Sequence, residues 1–297
     1  VARWRISWCF FALLAGCAAR GPSDFVDPIQ QTLESTDRQL DRGRNLEALE
    51  EALEIYQSLA DEVPSDLRVA EKLTRALYLR GYVFPDVEPP PHAFFESART
   101  TGWNCLSAGT GLVLGSVARG NKQDVTGYER VDSDRAGCMV YTTLAWARWL
   151  SARGTAAMAL DLVPLKALAQ GAVTVAGTME AGKAEHAYAL VLALDAAQGD
   201  TEWEDAEAAF QVAIKRAPED FSRVVDWVEW VLIPTGNEKR ARRVLRELAD
   251  AQPVGRVNSE QAGSPSDIRA FERAVDLAND LSTTSLSTLE ADRLDEN

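Results

Sequence analysis

Apolar positions along most of this chain recur at offsets of three and four, the period of one helical face. The pattern is sharpest where it repeats. Ala52, Tyr56, Leu59 and Pro64 follow one another at offsets of four, three and five. Ala206, Phe210, Ala213 and Pro218 keep that spacing, and so do Ala241, Leu245, Leu248 and Pro253. In each copy a small residue lets a neighbouring helix approach and a large one fills the groove beside it. Proline lacks the donor a continuing helix needs, so the chain turns there.

Helices are expected over about 27–42, 46–62, 67–80, 93–108, 138–152, 160–169, 185–197, 202–216, 221–233, 238–251 and 267–281. Gly43 and Asn45 break the first helix, and Ser65-Asp66 supplies a cap after Pro64. Residues 82–92 hold Pro85, Pro89, Pro90 and Pro91 and read as a loop. Residues 109–137 read as a long loop with a short helix near 112–117, and 252–266 as another loop. Pro164 is placed in the first turn of its helix, where proline is tolerated. The run 138–152 is apolar on most sides and belongs at the centre. No stretch alternates for long in the manner of a strand. The expectation is an all-α fold: stacked helical hairpins in a tetratricopeptide-like (TPR-like) repeat bundle spanning 29–281. The tail 282–297 is rich in Ser, Thr, Asp and Glu and reads as disordered.

The first residues follow a different logic. Arg3 and Arg5 precede a short apolar run containing Trp8, Phe10 and Phe11, too short to span a bilayer. It ends in Leu14-Ala15-Gly16-Cys17, which resembles the lipobox of bacterial lipoproteins. That resemblance implies a leader over 1–16, cleavage before Cys17, and acylation of the Cys17 thiol, with several chains giving stable anchoring. Residues 17–28 then form a linker. The same resemblance, to lipoproteins of Gram-negative bacteria, implies from Ala18 after the cysteine a place in the inner leaflet of the outer membrane, with the body facing the periplasm. The alternative is an ordinary signal peptide with a chance cysteine.

Composition narrows the function classes. The formal net charge is -14, which opposes binding to nucleic acid and adsorption of the body to an anionic membrane. Two histidines and four cysteines leave little material for a metal site, and no metal or cofactor is expected. Gly115 to Gly120 followed by Asn121-Lys122 mimics a phosphate loop but lacks its Lys-Ser/Thr ending. His-Glu-x-x-His, Cys-x-x-Cys and Gly-x-Ser-x-Gly are all missing, so an enzyme is not expected. In an oxidising compartment Cys105 and Cys138 are candidates for a disulfide closing the long loop. Lys239, Arg240, Arg242, Arg243 and Arg246 cluster in an acidic chain. They read either as a solvated helix face or as a docking patch for an acidic partner.

From Cys138 onward the order of motifs resembles a known family. The runs Val140-Tyr141-Thr142 to Trp146-Ala147-Arg148-Trp149, Leu160-Asp161-Leu162-Val163-Pro164 to Ala169, Ala184-Glu185-His186, and Ala213 to Pro218 carry the likeness. They are similar to the T component of tripartite ATP-independent periplasmic (TRAP) transporters, the TatT-like lipoproteins, over about 44–280. The resemblance implies a helical repeat protein with a pore for a small hydrophobic or carboxylate ligand, tending to a homotrimer. Its partner would be a periplasmic solute-binding protein of the P-component type. Tyr141, Trp146 and Trp149 then read as aromatic lining of a ligand cavity, or as core packing. His186 matches the family's histidine and reads as a hydrogen-bond donor to a ligand carboxylate, or as structural. The alternative function is a TPR-like envelope scaffold without a ligand cavity.

Overall fold

A computed structural model of the chain describes residues 27–43, 45–108, 110, 131–177, 182–251, 267 and 269–282. The leader, Cys17, the linker, the tail, residues 252–266 and most of the loop after residue 108, including 112–117, lie outside them. Among the described residues the chain is helical with no strand. In order, α1 is Pro28–Gly43, α2 Leu46–Glu62, α3 Leu67–Val83, α4 Pro91–Ser107 and α5 Ala136–Arg153. Next, α6 is Thr155–Ala176, α7 Lys183–Gln198, α8 Trp203–Arg216, α9 Phe221–Trp227 and α10 Glu238–Ala251. Residues 269–282 form α11.

The repeated spacing does what its chemistry requires. Ala52, Tyr56, Ala206, Phe210, Ala213, Ala241 and Leu245 are all buried. At both described prolines the turn is built alike. Val63 N donates to Leu59 O, and Asp66 then caps α3 by accepting from Arg68 N at 2.9 Å. Ala217 N donates to Ala213 O, and Asp220 caps α9 by accepting from Ser222 N at 3.2 Å. Each aspartate satisfies a first-turn N–H that has no helical partner.

Several boundaries differ from the sequence expectation. The third helix runs past Arg80 to Val83. Gly81 is kept in it because a side chain there would meet the Phe95 ring at 2.9 Å and the Pro91 carbonyl at 3.0 Å. The fourth begins at Pro91, whose missing N–H is no loss in the first turn. The sixth begins at Thr155 and places Pro164 inside the helix rather than in its first turn. Pro164 cannot donate to the carbonyl of Leu160, so the helix carries one fewer backbone hydrogen bond there. The ninth passes at Val228 into a π-helical turn, Val228–Leu232, instead of running on as regular helix to Ile233.

Each helix packs on the next from α1 to α9. Beyond this, α5 packs on both α3 and α7, and α7 reaches the π turn. These helices make an inner row, with α2, α4, α6 and α8 behind it. α5 and α7 are buried along most of their length, as the apolar run 138–152 requires. The helix α6 is long and apolar enough to cross a membrane, and here its Leu162, Leu165, Leu168 and Ala172 face the core. Helix α11 joins with Ala270, Ala274, Leu277 and Leu281 buried.

The tightest approach is between α4 and α5. A Cβ at Gly102 would stand 1.9 Å from the Thr142 hydroxyl and 2.9 Å from a Thr74 methyl. Thr142 cannot swing away freely, because its hydroxyl donates to the Cys138 carbonyl at 2.5 Å. Gly102→Ala should therefore destabilise the protein by about 1–3 kcal/mol through overpacking, against the ~1 kcal/mol that alanine gains in an open helix. Thermal melts followed by circular dichroism check the sign; a raised Tm would contradict the close packing.

Candidate functional site

The inner row is largely apolar, and among its buried charged groups several meet at one carboxylate. Asp226, on α9, is 1% exposed. Its Oδ2 accepts from Arg148 Nη2 on α5 at 2.6 Å and meets His186 Nε2 on α7 at 2.7 Å. An ionised carboxylate only accepts, so that ring nitrogen carries a hydrogen. Arg148 also points Nε at the Tyr78 hydroxyl of α3, 3.4 Å away, and its guanidinium lies 4.4 Å from the Tyr82 ring. All of α3, α5, α7 and α9 thus contribute to one polar layer.

Burial alone pushes the Asp226 carboxyl up. The Arg148 charge and the His186 hydrogen bond outweigh it and hold Asp226 below the usual carboxylate range. Burial would lower Arg148, but Asp226 raises it well above the ordinary guanidinium range. Burial pushes Tyr78 up to about 12, so it stays a neutral hydroxyl.

Three hollows lie along this layer. One of about 160 Å³ is lined by Tyr78, Tyr141, Lys183, His186, Asp220 and Ser222 among others. Lys183 Nζ donates to the Tyr141 hydroxyl at 3.1 Å across it. A second, of about 250 Å³, is walled by Tyr82, Phe95, Arg148, Asp226, Arg269 and Arg273 among others. A third, of about 590 Å³, is an open groove over Ala152, Ala193, Leu194, Trp203 and Trp230. Tyr82 is common to the first two, and Phe95, Arg148 and Glu229 are common to the last two.

The structure brings Tyr141 and His186 together in the first hollow. It puts Trp146 and Trp149 elsewhere. Trp146 is 2% exposed and donates Nε1 to Asp161 at 3.2 Å. Trp149 is covered by the Arg99 guanidinium at 4.0 Å and flanked by Arg153 at 4.9 Å. The two tryptophans therefore serve the α4–α5–α6 packing, where cation–π contact suits them. The reason is register. Tyr141 and Arg148 fall on the inner side of α5, whereas Trp146 and Trp149 fall on the side toward α4 and α6.

Of the basic cluster on α10, Arg240 pairs with Glu207, Arg242 with Glu238 at 2.9 Å, and Arg243 stands 3.9 Å from Glu247. Arg240 also covers the Trp227 ring at 4.8 Å. Much of its charge is thus matched within the chain. Cys105 and Cys138 are joined, with Cα atoms 6.4 Å apart across 33 positions, tying the end of α4 to the start of α5. Among the described residues no group of His, Cys, Asp and Glu could hold a metal ion.

Asp226, Arg148, Arg269 and Arg273 were not singled out by sequence reasoning. A signal existed for Arg148, the one charge between Cys138 and Leu150 in an apolar run. A charge there must be buried with a partner or face a cavity. No protein-family model matches the chain, and the search of curated proteins finds no match.

Two outcomes follow from this geometry. Asp226→Asn leaves the buried Arg148 without its counter-charge and should cost about 3–5 kcal/mol. Because folding depresses the Asp226 pKa, the wild-type contribution is present above the unfolded value of ~3.9 and lost as pH falls through the folded one. Denaturant melts between pH 7 and pH 3 should show wild type losing stability at the acid end and Asp226→Asn losing less. Equal pH slopes would contradict the assignment. Cys105→Ala with Cys138→Ala should lose about 3–4 kcal/mol, the loop-closure term for a ring of this length. A melt unchanged by that double substitution, or by reductant on the wild type, would argue against the bond.

Proposed function

We propose that the chain is a periplasm-facing lipoprotein of the TRAP T-component type. In this reading it binds a periplasmic solute-binding protein and a small hydrophobic or carboxylate ligand. Cys17 anchors it to the membrane, and copies associate as a homotrimer. The observation that carries the reading is the chain of hollows along the inner row, with shared walls and a mixed apolar and cationic lining. A protein that only presents an outer surface has no need of adjoining clefts with shared walls. The repeat fold and the motif order support it further.

The same site argues for binding over chemistry. His186 Nε2 and Arg148 are both committed to Asp226, and the Ser222 hydroxyl beside them donates to Asp220 at 2.5 Å. A nucleophile–base pair would need a hydroxyl delivered to the imidazole. The second reading, an envelope scaffold with no ligand, draws on the solid packing around Trp146.

The test is affinity purification of the full chain from its own cell envelope after mild cross-linking, with mass spectrometry of what accompanies it. A periplasmic solute-binding protein in stoichiometric amount is expected. Recovery of other envelope proteins without one would favour the scaffold. In the same cells, Cys17→Ser should abolish acyl labelling; labelled mutant protein would remove the anchor.

A further inference from the structure

The second hollow concentrates positive charge in a strongly acidic protein. Arg148, Arg269 and Arg273 line it, against Asp226 and Glu229. The net charge of that wall is one positive, whereas the whole chain carries -14. Arg148 is held by Asp226 at 2.6 Å and Arg273 by Glu229 at 2.7 Å. Arg269 is different. Its ionic partners are Asp86 at 3.8 Å and Glu272 at 3.5 Å, and those carboxylates are 88% and 59% exposed. Its own side chain is 18% exposed. It is thus a largely covered guanidinium whose counter-charges sit in water, at the edge of a cavity.

The rest of that cavity is apolar, with Tyr82, Phe95, Pro85 and Val225. Phe95, Arg148 and Glu229 are also walls of the open groove of Leu194, Trp203 and Trp230. Arg269, whose counter-charges are the most distant and most exposed, suits a monoanion, and two carboxylates in the same wall oppose a phosphate dianion. The planar guanidinium fork matches a carboxylate. The groove suits an apolar tail.

We propose that α11 completes a binding site for a monocarboxylate with an apolar tail. The carboxylate lies against Arg269 and Arg273, beside Arg148, and the tail runs along the groove over Trp230 and Trp203. The inference rests on the ligand-binding half of the proposed function and names its chemistry and place. It gives α11 a role that sequence periodicity cannot show. The helix is a wall of the site, clipped over it by Arg273–Glu229 and Arg269–Asp86. Ligand entry then has to come along the open groove or past α11.

The experiment uses the full chain and octanoate as probe, read by tryptophan fluorescence, since Trp203 and Trp230 line the groove. Octanol and octyl phosphate test the headgroup. Saturable octanoate binding is expected, at least tenfold tighter than either analogue. Arg269→Gln with Arg273→Gln should weaken octanoate tenfold or more and leave octanol unchanged. Arg273→Lys alone should fall between, because it keeps the charge and loses the fork, and it serves where the double variant loses helicity. Equal affinity for octanol, tighter binding of octyl phosphate, unsaturable binding, or indifference to all these substitutions would each overturn the proposal. Failure here leaves the envelope purification result standing, and absence of a solute-binding partner leaves octanoate binding standing.

Discussion

One oxygen atom organises the inside of this protein. Asp226 Oδ2 takes a guanidinium from α5 and an imidazole from α7, and it sits on α9, three turns of chain that share no local contact in sequence. Asp226 and His186 are buried and the Arg148 side chain is 11% exposed, so each of these groups loses most of its hydration on folding. That cost is recovered only if all are present at once. The layer therefore acts as a register pin. An inner row of helices packed by alanines and leucines alone could slide; one that must align Asp226 with Arg148 and His186 has one position. The tyrosines of α3 extend the pin to a fourth helix, through the Tyr78 hydroxyl and the Tyr82 ring.

The same layer explains the hollows. At Gly102 the missing side chain lets α4 lie tightly on α5 and α3. Along the inner face, Tyr78, Tyr82, Arg148, His186 and Asp226 line the hollows between the helices. The π-helical turn after Trp227 belongs to this arrangement. It comes directly after Asp226 and presents Glu229 and Trp230 to the cavities. Such a turn is a common way of re-aiming side chains at a functional surface.

Much of the scaffold was legible in the sequence, because it rests on local rules. The Ala-x3-large pattern, the stopping prolines and the capping aspartates act within a few residues, and 46–62 and 238–251 fall where periodicity places them. What escaped was set by contacts distant in the chain. Arg80 does not end α3, because the buried guanidinium turns back to the Phe84 and Glu88 carbonyls and holds the following proline loop in place. Pro164 sits inside α6 because that helix starts earlier, at a glycine with φ of 78°. The site divides in the same way. Tyr141 was named as an aromatic on the apolar run and His186 through the family resemblance, and they do meet in one hollow. Trp146 and Trp149 were chosen for being aromatic, and helix register turned them to the other side. Asp226 looked like any acid in an acidic chain, and only its neighbours in space set it apart.

A double-mutant cycle on Arg148 and Asp226 tests the pin most directly. Arg148→Met, Asp226→Leu and the pair together would be compared by denaturant unfolding. If the two charges are desolvated partners, either single change strands the other, and the double variant should be more stable than the sum of the singles by about 1.5–3 kcal/mol. Strictly additive losses would mean that the two side chains do not depend on each other, and the inner row would then need another explanation for its alignment.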